Sequence, residues 1–315
     1  ATDGDTAALI SAVGPAVTFT LSGDIDGSGN VRHSGEGVLV LNGDNTYTGG
    51  TYASRGTVEV QSADGLGATA RGVGTVTIES DADLRVTVEE GYTGKSLVTS
   101  LAADVNDIQG DVSIRGTADT ERILHMDGNG YNALSTTLND NGTLLLNGAA
   151  IDGKAVKAES ALLTGSGKVV VSDASGSGAS ATFDSMIDYS GDFRVEGDNA
   201  SISVKTGTYI DGSIHVAGKH ASVNTGSHIY ITDANSLSLS SLGDATQDTA
   251  AVVKTDGALN IEAGAVFSVQ NKETSYAYDL IGLQNSVAFS LEEAVPSLIR
   301  TETSTSLREP LPSAS

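Results

Sequence analysis

A glycine followed at once by a short alternating apolar strand is the phrase on which this chain is built. It is clearest in residues 34–67, SGEGVLVLNGDNTYTGGTYASRGTVEVQSADGLG, where Val38–Leu41 follows Gly37 and residues 57–60 follow Gly56. The phrase returns at Gly74, at Gly142 and, more loosely, at Gly257. From Gly37 to Gly56 is 19 positions, and from Gly56 to Gly74 is 18. Such a period describes a coil of short strands and turns stacked rung upon rung. Consecutive rungs put like strands side by side in one direction, so the sheets are expected to be parallel. Alternate residues, such as Val58 with Val60 and Val76 with Ile78, are expected to point inward.

Composition supports an elongated coil over a compact enzyme core. The 38 glycines come with only 4 prolines, and they punctuate segments rich in Val, Ile, Leu and Thr, unlike a disordered chain. Aromatic residues make up 4% with no Trp, too few to fill a wide core with rings. The net charge of −23 provides no basic footprint for phosphates, so nucleic acid is excluded as a default partner. It also opposes docking on an anionic membrane. A solvated acidic face accounts for it; weak divalent-cation binding or screened self-association is the alternative. Without cysteine there is no disulfide, thiolate catalysis or Cys-ligated zinc. No apolar run approaches the roughly 18 residues of a membrane span. The start at Ala1 without Met or signal peptide gives the expectation of a segment cut from a longer precursor.

Three segments are expected: residues 1–15 as a lead-in, 16–271 as the coil, and 272–315 as an irregular tail or linker. Within the coil, residues 92–135 read as less regular, and 96–105 as a short helix or bulging loop. Gly165-Ser166-Gly167-Lys168-Val169-Val170-Val171 repeats the phrase beginning at Gly35. A turn follows each copy, with Tyr47 10 positions after Gly37 and Tyr189 22 after Gly167. The difference reads as an outward loop in residues 172–181. Tyr92 lies in a third such turn. Residues 286–295 carry a helical possibility, and 301–315 read as disordered.

The pattern Gly35, Gly37, Leu39, Leu41, Gly43, Asn45, Thr46, Tyr47, Thr48, Gly49, Gly50, Thr51, then Gly56, Thr57, Val58, Val60, ending on Leu66 and Gly67, resembles the passenger-associated strand repeat of bacterial type V autotransporters. The resemblance covers about a tenth of the chain strongly. It implies an all-β, single-stranded, right-handed parallel β-helix, carried to the surface of a Gram-negative-type cell or secreted, and commonly an adhesin or self-associating protein. No series of amphipathic barrel strands follows residue 271, so this segment is not expected to span a membrane.

No residue pattern commits the chain to chemistry. Asp24, Asp26, Ser28 and Gly29 match the first half of a calcium loop, but Gly35 stands where the bidentate Glu belongs, and an ordinary turn fits the same residues. His215, His220 and His228 fall close in sequence without a fixed third ligand, as surface histidines commonly do. Asp81, Asp83, Glu89 and Glu90 are acids without an informative spacing among 40. Gly-Asp-Ser-Gly is absent, and residues 165–168 lack the remainder of a phosphate loop. Asn45 reads as a rung-corner asparagine bonding the bend backbone, and Asn141 as a plain turn. Tyr47, Tyr92 and Tyr189 read as corner packing ahead of glycan-stacking platforms.

The expectation is therefore a non-enzymatic adhesin or self-association module without catalytic residues, metal or cofactor. Its partners would be host or matrix glycans or proteins, or a second copy of itself. A carbohydrate-active enzyme with an acidic groove, and a spacer for an upstream domain, are the alternatives.

Overall fold

The computed structural model describes residues 8–10, 14–71, 73–101, 106–126, 131–147, 155–173, 176–207, 209–226, 228–231 and 235–241, together with the strands Val252–Thr255, Leu259–Ile261, Val266–Asn271, Ile281–Leu283 and Ser290–Leu291. Among these residues every strand pairing is parallel, and the strands stack into sheets of twelve, eight, five and four. The chain is a parallel β-helix. Its one described helical element is the 3-10 turn Ala68–Arg71. Strand pairing begins at Ala8–Ile10 and continues to Ser290–Leu291, so the ladder reaches outside residues 16–271 at both ends. Residues 301–315 lie outside the described residues.

The alternation of each strand produces inward columns running along the coil axis. Leu39, Val58, Leu84 and Val112 are in register on four successive rungs, and none exposes any surface. Leu41, Val60, Val86, Ile114 and Leu138 form a second buried column beside it. Val76 and Ile78 point inward from the five-stranded sheet, as the alternation predicts. Each such side chain contributes roughly 1.5–3 kcal/mol of burial, so many similar increments along the axis hold the coil together.

The glycine phrase marks corners and not one face. Gly37 and Gly56 open strands of the twelve-stranded sheet, Gly74 one of the five-stranded sheet, and Gly142 and Gly167 strands of the eight-stranded sheet. The partner of Gly56 on the next rung is Ala82, 26 positions on, and not Gly74 at 18. For the same reason, the longer gap from Gly167 to Tyr189 is not an outward insertion. It contains the whole strand Lys168–Asp173 on one sheet and then Ser180–Tyr189 on another. The expected loop or helix at 96–105 is also corrected, because Ser96–Leu101 is the first strand of the eight-stranded sheet. Ser290–Leu291 falls within the segment read as helical and is a strand. Residues 257 and 258 lie outside the described residues.

Three long strands, Tyr131–Asn139, Lys157–Gly165 and Ser180–Tyr189, let the coil change cross-section. Tyr131 and Ala133 point inward, then Thr136 and Leu138 do, so the alternation slips at Leu134 and Ser135. Strand Asp111–Arg115 pairs with the second half of this strand, from Ser135 to Asn139. Ser201–Gly207 still pairs with both halves, through Ser180 with Ser201 and Ser185 with Thr206, and Ser222–Thr225 then follows the first half, through Ser201 with Ser222. Tyr131 and Thr136 close the bend from inside, hydroxyl to hydroxyl at 2.9 Å.

Candidate functional surface

The corners are held by side chains that link rungs. Asn45, 1% exposed, accepts the Ile25 amide on Oδ1 at 2.9 Å and donates from Nδ2 to the Gly65 carbonyl at 2.8 Å. Those partners lie 20 residues before and 20 after it, so one amide ties three rungs. Asn141 donates to Thr117 and Ala118 carbonyls at its turn. Tyr47 is buried against Thr51 and the Gly65 carbonyl, and burial pushes its hydroxyl up to about 12. Tyr189 donates to the Gly167 carbonyl at 2.9 Å and stacks on Phe193 with centroids 5.3 Å apart. These two are corner packing, as read from the sequence. Tyr92 is 39% exposed and donates to the Ser96 carbonyl.

Asp24, Asp26 and Ser28 are exposed on a corner where the Asp24 carboxylate accepts the Asp44 amide and Gly29 accepts the Gly49 amide. They form a stacked turn. The histidines are placed on different elements. His215 sits on the eight-stranded sheet facing Ser238, His220 occupies a turn at φ 55°, and His228 lies on the four-stranded sheet. His215 is lowered from its ordinary value, first by burial and then by Arg194, against the pull of Glu196 at 3.8 Å. Among the described residues no three His, Asp or Glu side chains converge as metal ligands.

The acids behave differently from one another. Asp81, Glu89 and Glu90 are exposed on turns. Asp83 lies in register with Asp111 on the next rung, a partner the sequence reading did not single out. Thr57 donates to Asp83 and Ser135 to Asp111, so the pair is the centre of a hydroxyl–carboxylate column. Burial, and then Asp111, raise the Asp83 carboxyl above its ordinary value.

Two interior side chains escaped the sequence reading. His33 is wholly buried and bonds the Gly37 carbonyl through Nε2 at 3.0 Å. Arg122 is wholly buried in strand Glu121–Met126, at a position that the alternation alone marks as inward.

The chain is thus a parallel β-helix whose rungs are tied to one another at the corners. The family model for the passenger-associated-transport-repeat matches residues 33–60. That stretch runs from one strand of the twelve-stranded sheet, Val38–Leu41, to its neighbour on the next rung, Gly56–Val60, and it holds the His33 to Gly37 bond, Asn45, and the Tyr47 to Thr51 contact. The repeat and the fold together support a segment of a type V autotransporter passenger.

The chain is similar to the adhesin BmaC autotransporter of Brucella suis biovar 1 (strain 1330), with 30% identity over 146 residues. The match spans 45% of this chain and 4% of that much longer protein. No solved structure matches. No helix among the described residues is long and apolar enough to cross a membrane.

Proposed function

We propose that this segment is an adhesive passenger, displayed at the cell surface or secreted, acting without catalysis. The observation that carries this reading is the 30% identity to an autotransporter adhesin. The fold supports a mechanism by avidity. Parallel strands place outward Thr, Ser, Asn and Asp side chains in columns that repeat each rung, about 4.8 Å apart. Weak contacts at that spacing add along one rigid ridge and give avidity without any single deep pocket. The partners are host or matrix glycans or proteins, or a second copy of the chain. Residues 16–271 carry the contact surface; of residues 272–315, read as a tail or linker, Ile281–Leu283 and Ser290–Leu291 continue the ladder.

The test is incubation of the 315-residue segment with immobilised host glycans and matrix proteins, scoring both retention and released fragments. Retention without release is expected. Release of fragments abolished by Asp83→Asn or Asp111→Asn would replace the adhesin with a carbohydrate-active enzyme. Neither retention nor release would favour a spacer.

A further inference from the structure

The four-stranded sheet carries an aromatic surface that the corners do not. Its first two strands are Tyr209–Asp211 and His228–Ile231, and Ile210 and Ile229 face each other in the core. Their neighbours therefore face outward. Tyr209 is 47% exposed and Tyr230 36%, with ring centroids 5.6 Å apart and planes at 82°. The register places Tyr230 opposite Asp211, and the backbone of His228 opposite Tyr209. Asn235 Nδ2 donates to Asp211 Oδ1 at 3.4 Å. On the third strand, Asn260 is the register partner of Tyr230.

Among the described residues, paired exposed rings are not the habit of this chain. It has 9 tyrosines and 5 phenylalanines. Tyr47, Tyr131, Tyr189, Phe183 and Phe193 are all buried. Phe19 and Tyr92 are exposed, but one lies on the twelve-stranded sheet and the other on a turn. Two rings packed edge to face on the outside thus form a preassembled apolar corner, edged by a carboxylate and an amide. An apolar ring beside paired hydroxyl acceptors and donors complements a sugar, which has a C–H face and a hydroxyl edge. The chain's −23 charge, with Asp211 at the site, disfavours uronate and sialate ligands.

We propose that this face is a glycan-binding site for neutral hexose oligosaccharides. One of the two rings takes the C–H face of a pyranose while the other, set at 82° to it, flanks the sugar, and Asp211 with Asn235 bonds its hydroxyls. The proposal rests on the adhesin reading and assigns it a place.

The experiment titrates the segment into fluorescein-labelled cellohexaose, mannohexaose and galactohexaose, with hexagalacturonate as the acidic control, read by polarisation. At least one neutral probe is expected to bind in preference to the acidic one. Tyr209→Ala and Tyr230→Ala should each weaken that binding about tenfold, the scale of one aromatic contact. Asp211→Asn should weaken it as well. Tyr92→Ala, which removes an exposed ring elsewhere, should leave it unchanged, and melting curves should show all variants folded. Binding that survives both tyrosine substitutions, or a preference for hexagalacturonate, would overturn the site. So would silence towards every oligosaccharide while matrix proteins still retain the segment, an outcome that leaves the adhesin reading standing. Loss of a dimer in sedimentation of Tyr209→Ala without loss of sugar binding would make the paired rings a contact between copies. Failure to bind any sugar or protein would remove the adhesin reading and this site together.

Discussion

Arg122 donates to Thr99 Oγ1 at 2.8 Å inside the coil, and Thr99 in turn donates to the Ser62 carbonyl at 2.9 Å. The same guanidinium reaches the Thr87 carbonyl at 2.6 Å, Leu97 at 2.9 Å and Ser62 at 3.2 Å. This is where the eight-stranded sheet begins, with Ser96–Leu101 as its first strand. The preceding rung has no strand there, so its carbonyls need another donor. Arg122 supplies it from the next rung but one. Its partners are carbonyls and a hydroxyl, and burial pulls the guanidinium down to about 10.

Arg122→Met should therefore destabilise the coil by about 3–5 kcal/mol, because several buried acceptors lose their donor at once. Arg122→Lys should recover part of that loss, since an ammonium reaches fewer of them. Guanidinium chloride denaturation measures both. A loss below about 1 kcal/mol would mean that water replaces the guanidinium.

Asn45→Leu should cost about 3 kcal/mol by orphaning the Ile25 amide and the Gly65 carbonyl. The damage should be local to the first rungs. Amide exchange reads it directly, with protection lost at Ile25 and retained at Val195.

Gly142, Gly167, Gly191 and Gly212 stack at one corner so closely that a Cβ on Gly167 would lie 2.1 Å from the Gly142 carbonyl oxygen. On Gly191 it would lie 1.8 Å from that of Gly167. Gly167→Ala should cost about 3 kcal/mol through forced separation of rungs. Gly23→Ala, with nothing within 4 Å of its Cβ, should change stability by less than about 0.5 kcal/mol. Thermal melts of the pair make the comparison.

Burial raises the hydroxyls of Tyr47, Tyr131 and Tyr189 above their ordinary value near 10. The unfolded chain ionises them near pH 10, while the fold keeps them protonated. Their contribution is thus complete below pH 10 and is lost as pH climbs towards 12, the value for Tyr47. Absorbance at the phenolate band should show these three of the 9 tyrosines ionising only as the circular dichroism of the strands disappears. Ionisation of all nine with the strands intact would contradict the burial.

Asp83 is raised by burial and by Asp111, so the folded state favours its protonated form. Stability from this group is full below its unfolded value of 3.8 and falls as pH rises through the raised one. Asp83→Asn should then raise the melting temperature at pH 7 and make no difference at pH 3.

Much of the coil was legible in residue order. Alternation in residues 57–60 and 76–78 marks the inward side chains, and the glycine before each strand marks a corner. Asn45, read as a corner amide, is one. What could not be read was which face each corner opens. Any corner brings one rung's backbone against the previous rung, and glycine answers that crowding equally at Gly56, Gly74 and Gly167. The local pattern is therefore the same on every sheet, and only the pairing of Gly56 with Ala82 reveals the true rung length.

The sequence by itself determined a parallel coil, its rung-corner chemistry and its passenger repeat, because these follow from alternation and turn residues a few positions apart. The tertiary structure alone decided which carbonyls Arg122 meets inside the coil, that Asp83 meets Asp111, and that Tyr209 and Tyr230 pair on the outside. Those outcomes depend on which residues stand one rung away, 19 to 28 positions along the chain in the rungs from Val38 to Asp111. Separations that vary between rungs are set by the packing of each rung on the last, and no fixed period in the sequence encodes them.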